Sequence, residues 1–270
     1  MRGGGKGRGR SKGSAGGAPT GQERREERRA QRQGGPPEDR KGGGAGEAAL
    51  EWVKSIALIL VLYFFIKSFL IQTFVITSGS MEDTLLVGDF LMVNRASIGS
   101  PIPGTSLRIP GYSQVRQGDV LVFDPTHEDD LMLVKRLIGM PGDTLEMRDK
   151  ALYRNGQLQD EPYVKHLDDQ GDDHHPWMEW QRPHVIPESA RSDYRPTRDN
   201  WGPLVIPEGY YFMLGDNRDY SLDSRYWGLL ERWRLEGRAL FHYFSYDRDS
   251  PAAFSFLREV RWDRIGRRIR

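Results

Sequence analysis

The sequence predicts a mainly β protein, an antiparallel β domain with a smaller inserted β excursion, preceded by one N-terminal transmembrane helix. Three observations support this prediction. Short runs rich in β-branched and aromatic residues alternate with Pro and Gly turn signals after residue 75. No long stretch there has a helical period, and the one extended apolar stretch lies before the body, within residues 51–74.

Residues 1–50 are predicted to be a disordered tail, because they are mostly Gly, Arg, Glu, Gln and Pro and have too few apolar side chains to form a core. A Gly/Arg-rich tail is compatible with binding RNA or acidic lipid. The net charge of the chain is only +1, so we favour a solvated tail and expect no nucleic acid partner.

The apolar stretch at residues 51–74 is predicted to be a membrane anchor. Its continuous apolar run, Ser55–Ile66, reaches spanning length only when its apolar flanks are included. Lys54 and Lys67 lie near its ends, where their amines can reach the lipid headgroups. A buried core helix and a cleaved secretory signal are the alternatives. A core helix would have polar residues at helical spacing, and the apolar run has none between residues 56 and 66. A cleaved secretory signal would not be preceded by so long a tail.

The orientation of the anchor follows from the charge on its N-terminal side. Residues 1–50 contain 12 Lys or Arg residues, and the positive-inside rule therefore places the tail in the cytoplasm. We expect a single-pass protein of the inner (plasma) membrane, in contact with the lipid bilayer. Residues 75–270 would then form a periplasmic or extracytoplasmic domain.

Within this body, strands are predicted at residues 90–93, 120–123, 133–138, 152–153 and 210–214, with helix confined to the anchor and a turn near Ser80. Asn155-Gly156 has the signature of a type I′ hairpin turn.

Residues 158–203 show little alternation of apolar and polar residues, and His174-His175 follows two aspartates. A polar surface loop explains that run better than a metal site, because no ligands occur at a fixed metal spacing. The chain has no cysteine, and we expect no metal and no cofactor.

Two segments contain candidate reactive side chains. In TSGSMEDTLLVGD, Ser80 follows a glycine, which suits a tight turn that exposes a hydroxyl and presents backbone N–H groups. In LMLVKRLIG, Lys135 lies in an apolar strand, and burial there would lower the pKa of its amine until it can act as a base. Each signal is weak alone, since a surface loop and a solvated strand lysine are the ordinary interpretations.

A third segment, GDNRDYSLDSRYWG at residues 215–228, follows an apolar strand and is dense in polar and charged residues. Asp223 and Arg225 could pair there, and Ser221 could hydrogen-bond a lysine amine. Together with SGSM and the lysine segment, this order of motifs after an anchor resembles the bacterial type I signal peptidases. The resemblance covers nearly all of residues 52–245.

The resemblance implies a serine endopeptidase that removes signal peptides from exported preproteins after small residues, at Ala-x-Ala sites. It also implies a role for each matching residue. Ser80 would be the nucleophile and Lys135 the general base, with the Ser80 N–H and the Ser78 hydroxyl as oxyanion donors. Ser221 would orient the lysine amine, while Asp223 and Arg225 would hold their loop. Ile76 and Val134 would line shallow substrate pockets, and residues 146–208 would form an inserted, cap-like β subdomain. We expect the enzyme to act as a monomer.

One position departs from the family pattern. The family usually has proline two residues after the methionine of SGSM, and this chain has Asp83. We expect the turn to survive and Asp83→Pro to be tolerated or slightly activating.

Two rival interpretations of the function remain. A self-cleaving repressor-type serine–lysine peptidase would carry a helix-turn-helix instead of an anchor. A catalytically inactive, membrane-tethered binding module on the same fold would not need Ser80, Lys135 and Ser221.

Overall fold

The fold is that of a computed structural model, which describes residues 45–102, 105, 107–125, 131–168, 172–188 and 191–270. Most of the predicted tail lies outside these residues. Residues 45–50 are described, and they are helical rather than part of a disordered tail.

The N-terminal helix, α1, runs from Ala45 to Phe65 and continues as a π-helical turn over Ile66–Leu70. The helical stretch Gly46–Leu70 has 25 residues and is long and apolar enough to cross a membrane. None of its most apolar part is buried in the protein. Its apolar side chains therefore need another apolar environment.

The helix differs at both ends from the bounds 51–74 that the sequence predicts for the membrane anchor. The helix begins at Ala45, and the chain leaves the helical conformation after Leu70. Ile71–Val75 instead forms the first strand, which pairs with Asp89–Asn94 in antiparallel register. Backbone pairing with that strand decides the matter, because the apolar sequence before Ile76 suits a helix and a strand equally well.

The rest of the chain is mainly antiparallel β structure, as predicted. The strands are β1 Ile71–Val75, β2 Asp89–Asn94, β3 Gly99–Pro101, β4 Arg108–Pro110, β5 Val120–Phe123, β6 Leu133–Gly139, β7 Thr144–Arg148, β8 Ala151–Arg154, β9 Gln157–Leu158, β10 Trp201–Val205, β11 Tyr210–Leu214, β12 Leu230–Glu231 and β13 Leu235–Ser245. Seven of them form the main sheet in the order β1-β2-β13-β5-β6-β11-β12.

Strand β5 lies inside the main sheet, between β13 and β6, and all four of its residues are buried. Val120 and Val122 pack into a core that includes Met81 and Leu85, while Leu121 and Phe123 pack into a second core on the opposite face. Burial on both faces explains why this strand reads as a continuous apolar run rather than an alternating one.

A second sheet, in the order β10-β7-β8-β9, is inserted between β6 and β11. Its first strand, β7, begins at Thr144, two residues before the start of the excursion predicted at 146–208. The hairpin between β8 and β9 turns at Asn155-Gly156 with φ of 52° and 76°, and Arg154 pairs with Gln157. These angles confirm the predicted type I′ turn.

Helix is not confined to the anchor, contrary to the prediction. Two short α-helices, α2 at Ser224–Trp227 and α3 at Ser255–Arg258, lie in the body, along with 3₁₀ helices at Pro176–His184, Arg232–Arg234 and Trp262–Arg264. They are too short to show a helical period in sequence. At the start of Pro176–His184, His175 accepts a hydrogen bond from the N–H of Trp177, and His174 contacts Glu179 at 3.0 Å.

Candidate active site

Ser80 lies in a tight turn that follows β1 on the main sheet. The N–H of Glu82 donates to the Gly79 carbonyl at 3.0 Å, and the N–H of Leu85 donates to the Met81 carbonyl at 2.7 Å. Met81 and Leu85 are buried in the core beneath the turn. The serine side of the site is thus held by the core, and Ser80 itself is only 8% exposed.

Lys135 reaches this turn from β6. In the antiparallel pairing of β5 with β6, Lys135 lies opposite Leu121, and it is only 3% exposed. Its Nζ donates a hydrogen bond to the Ser80 Oγ. The structure therefore brings together the two residues that sequence reasoning selected, although they lie 55 positions apart.

Burial lowers the pKa of Lys135 to about 8. Asp223 and Asp216 oppose the shift by attracting the ammonium, whereas Arg225 adds to it by repulsion. An amine with this pKa is neutral in about one molecule in ten at pH 7 and in most molecules at pH 9, and a neutral amine can accept the proton of a serine hydroxyl.

Ser78 lies beside the nucleophile, with its Oγ 3.4 Å from the Ser80 Oγ. Its side chain is exposed, so it can turn toward a bound carbonyl. The hydroxyl of Ser78 and the N–H of Ser80 meet the chemical requirement for a pair of oxyanion donors.

Ser221 is buried next to the site but does not make the predicted hydrogen bond to the lysine amine. Among the described residues its Oγ has no hydrogen-bond partner. Its proximity to the turn is visible at Gly215, where an added Cβ would lie 2.2 Å from the Ser221 Oγ and 2.5 Å from the Ser80 carbonyl oxygen. The amine of Lys135 donates to Ser80 instead.

Asp223 and Arg225 pair as predicted and are fully buried. Arg225 donates from Nε and Nη2 to the two Asp223 oxygens at 2.8 and 2.9 Å. Burial acts to raise the pKa of Asp223, but the Arg225 guanidinium holds that pKa below its usual value. Asp223 also accepts from the Gly215 N–H at 3.1 Å and from the Arg225 N–H at the start of α2. The pair thus fixes both ends of the loop.

Sequence reasoning missed a second buried ion pair under the serine turn. Arg136 donates from Nε and Nη2 to Asp216 at 2.8 and 2.6 Å, and Thr84 donates to Asp216 at 2.6 Å. These bonds join β6, the end of β11 and the serine turn. Arg136 follows Lys135 in a buried strand, so its side chain points to the opposite face of the sheet. A buried guanidinium needs an acidic partner, and this need was the sequence signal that could have predicted the pair.

Asn217 is a further contact that the sequence did not single out. Its N–H donates to the Ser80 carbonyl and its Nδ2 donates to the Gly79 carbonyl, both at 3.2 Å. The GDNR run therefore holds the backbone of the nucleophile directly. Nothing in the sequence distinguishes Asn217 from the polar residues around it.

Ile76 and Val134 line one groove with the dyad. This cavity of about 170 Å³ is bordered by Phe74, Val75, Ile76, Thr77, Ser78, Ser80, Met81, Leu131, Met132, Leu133, Val134 and Lys135. Its walls are mostly apolar, and its volume suits small side chains. The two residues predicted to contact substrate thus lie beside the nucleophile.

The backbone at Asp83 argues against the expectation that Asp83→Pro would be tolerated. Asp83 has a φ of 78°, and the proline ring requires a φ near −65°. The Asp83 carboxylate lies 3.4 Å from the Lys165 Nζ, and that of Glu82 lies 3.3 Å from the same nitrogen. The turn therefore has a left-handed residue and a lysine contact at the point where the family usually has proline.

Comparison with known proteins identifies the family. Residues 49–244 match the family described as "Signal peptidase, peptidase S26". Signal peptidase I of Pseudomonas aeruginosa is 38% identical over 182 residues, which cover 66% of this chain and 63% of that protein. Signal peptidase I of Bacillus licheniformis is 32% identical over 198 residues, covering 73% of this chain and 89% of that protein.

Signal peptidase IB of Staphylococcus aureus is 34% identical over 199 residues, covering 73% of this chain and 90% of that protein. The match to the Pseudomonas aeruginosa protein spans less than two thirds of its length. A solved signal peptidase I from Enterococcus faecalis aligns with 30% identity and a TM-score of 0.31, over 47% of this chain and 97% of that one. On the match over residues 49–244, this chain belongs to the signal peptidase family, peptidase S26.

Proposed function

We propose that this protein is a membrane-bound serine endopeptidase that removes N-terminal signal peptides from exported preproteins, cutting after small residues at Ala-x-Ala sites. The observation that carries the proposal is the buried hydrogen bond from the Lys135 amine to the Ser80 hydroxyl. Membership of the signal peptidase family supports the substrate class.

The reaction is acyl transfer. Neutral Lys135 takes the Ser80 proton as the hydroxyl oxygen attacks the scissile carbonyl, and the resulting ammonium protonates the leaving amine. The ester between Ser80 and the signal peptide is then hydrolysed by a water that Lys135 activates. A lysine with a pKa lowered to about 8 can exchange a proton in both directions near neutral pH.

The remaining residues support this chemistry. The Ser80 N–H and the Ser78 hydroxyl stabilise the tetrahedral oxyanion, and each such donor lowers a barrier by about 3 kcal/mol. Asp223 and Arg225 hold the Gly215 loop, and the buried Ser221 lies beside the nucleophile turn. The groove of about 170 Å³ beside Ile76 and Val134 favours alanine-sized side chains.

The helical stretch Gly46–Leu70 is the proposed anchor in the lipid bilayer, because 25 residues with an unburied apolar surface match the thickness of a membrane. The 12 basic residues before the anchor favour a cytoplasmic N-terminus. The anchor would then lie in the inner membrane, with the folded body on its extracytoplasmic side. The enzyme would act there as a monomer on the signal peptides of membrane-associated preproteins.

Cleavage of a preprotein with an Ala-x-Ala site in detergent tests the proposal. We expect the full chain to cut after the second alanine, and Ser80→Ala and Lys135→Ala to be inactive while folded. Lys150→Ala, which removes a lysine outside the site, is the matched control and should retain activity. A folded wild type that binds several such preproteins and cuts none would favour the inactive binding module.

A further inference from the structure

A second cavity borders Ser80 and is separate from the apolar groove. It has a volume of about 480 Å³ and is lined by Ser78, Gly79, Ser80, Glu82, Leu167, Asn217 and Tyr220. It shares only Ser78 and Ser80 with the groove that contains Ile76 and Val134. The nucleophile therefore lies at the junction of two cavities of different character.

This arrangement matters because a peptide bond at Ser80 divides the substrate into two halves. On the proposed function, on which this inference rests, the half before the bond occupies the apolar groove. The half after the bond leaves as the amine product and must lie on another side of Ser80. The 480 Å³ cavity borders Ser80 and is large enough for one or two amino-acid side chains.

Glu82 is the charged residue in the lining of this cavity. Its Oε2 accepts from the Asn217 Nδ2 at 3.2 Å, and its Oε1 accepts from the Lys165 Nζ at 3.3 Å. Because Asn217 is buried and also holds the Gly79 carbonyl, the carboxylate has a defined position relative to the nucleophile turn.

The local charge around Glu82 is negative. Lys165 contacts both Glu82 and Asp83, so a single ammonium faces two carboxylates. On the Leu167 side, the buried Asp219 side chain accepts the Leu167 N–H at 2.6 Å, but Arg198 already faces its carboxylate at 3.5 Å. The negative charge therefore comes from Glu82 and Asp83. A cationic side chain in the cavity would be attracted by this field, and an anionic one would be repelled.

The geometry points to a subsite for the first residues after the scissile bond, in which Glu82 selects cationic over anionic side chains. The ligand class is the N-terminal segment of the mature polypeptide. Glu82 acts here as a specificity-determining residue, whereas small side chains before the bond are selected by the other groove.

Three peptides test this subsite. They share one sequence through the Ala-x-Ala site and carry Lys, Gln or Glu as the first residue after it. We measure kcat/KM at low ionic strength for the full-length wild type, Glu82→Gln and Glu231→Gln. Glu231 is a matched control, since it is a partly exposed carboxylate that also pairs with a basic side chain but lies outside both cavities.

For the wild type, we expect kcat/KM to be highest for the Lys peptide, lower for the Gln peptide and lowest for the Glu peptide. The ratio of kcat/KM between the Lys and Glu peptides should be about five, because exposed charges attract or repel one another only weakly. In Glu82→Gln that ratio should fall to about one, while Glu231→Gln should keep it. Comparing substrates within one enzyme removes any general loss of activity caused by a substitution.

Lys165→Met provides a second test if Glu82→Gln is inactive. Removing the ammonium that compensates Glu82 should raise the Lys-to-Glu ratio above that of the wild type. Equal cleavage of the three peptides by the wild type, or a ratio unchanged in both variants, would overturn the subsite and leave the proposed function standing. Failure to cut any of the three would overturn the proposed function itself.

Discussion

The protonation of one residue, Lys135, controls the proposed chemistry, so activity should depend on pH with a definite sign. Burial lowers the pKa of its amine from 10.5 to about 8. The base is inactive while protonated, so kcat/KM should rise about tenfold per pH unit below that pKa and level off above it. Initial rates on an Ala-x-Ala peptide from pH 6 to pH 10 measure this, and a flat profile from pH 6 to pH 9 would exclude a lysine base.

Asp83 tests the serine turn at the residue scale. Its φ of 78° is closed to proline, so Asp83→Pro should distort the turn and reduce kcat/KM at least about tenfold. Asp83→Gly keeps the backbone angle accessible while also removing the carboxylate, and should retain most activity. Equal rates for the two variants would show that the turn does not need this conformation.

Gly215 is a second position where the backbone leaves no room for a side chain. An added Cβ would meet the Ser80 carbonyl oxygen at 2.5 Å and the Ser221 Oγ at 2.2 Å. We expect Gly215→Ala to move the nucleophile turn and lower kcat by about a hundredfold or more. Gly209→Ala is the control, because an added Cβ there has no neighbour within 4 Å, although its φ of 83° adds some strain. Normal kcat in Gly215→Ala would contradict the close approach.

At the scale of elements, the Asp223–Arg225 pair joins α2 to the end of β11. Arg225→Met leaves a buried carboxylate without its partner and should lower the free energy of unfolding by about 3–5 kcal/mol. The double variant Asp223→Leu, Arg225→Met should lose less free energy of unfolding than the single variant, because no unpaired charge remains. Urea unfolding measures the stability of both variants.

The control for this ion pair is a carboxylate that is exposed. Glu188 is 81% exposed and pairs with Arg191 at 3.2 Å, and Glu188→Gln should change the free energy of unfolding by less than about 1 kcal/mol. A loss in Arg225→Met no larger than that of the control would show that the buried pair does not hold the loop.

Elements with strong local signals were predictable at the same scale. Val120–Phe123 and Tyr210–Leu214 begin and end at the predicted residues, because apolar runs bounded by turn residues have few alternatives as strands. The Asn155-Gly156 turn was predictable because both residues tolerate positive φ. The boundary after Leu70 was not, since only pairing with β2 decides between helix and strand there.

At the scale of the whole molecule, the unburied helix predicts membrane association. The full chain should float with phospholipid vesicles in a density gradient, and a chain beginning at Phe69 should remain at the bottom. That truncation keeps β1 and the Phe69 carbonyl that accepts from Ser100, so it should still cut peptides in detergent. Flotation of the truncated chain would place the main membrane contact in the body.

The sequence by itself determined the β class and the apolar N-terminal helix, because these depend on local pattern. It made Ser80 and Lys135 candidates through the order of motifs that resembles the family, since each signal alone is weak. It also indicated the Asp223–Arg225 pair, whose partners are two positions apart. Each of these patterns and motifs is contained within one short segment of chain.

Only the tertiary structure decided how far the pKa of Lys135 falls, that Arg136 pairs with Asp216, and that Ser221 has no hydrogen bond among the described residues. It also decided the positive φ of Asp83 and the cavity beside Glu82. These properties arise where segments distant in sequence meet. Burial and distance there depend on the register of the whole sheet, which no single segment encodes.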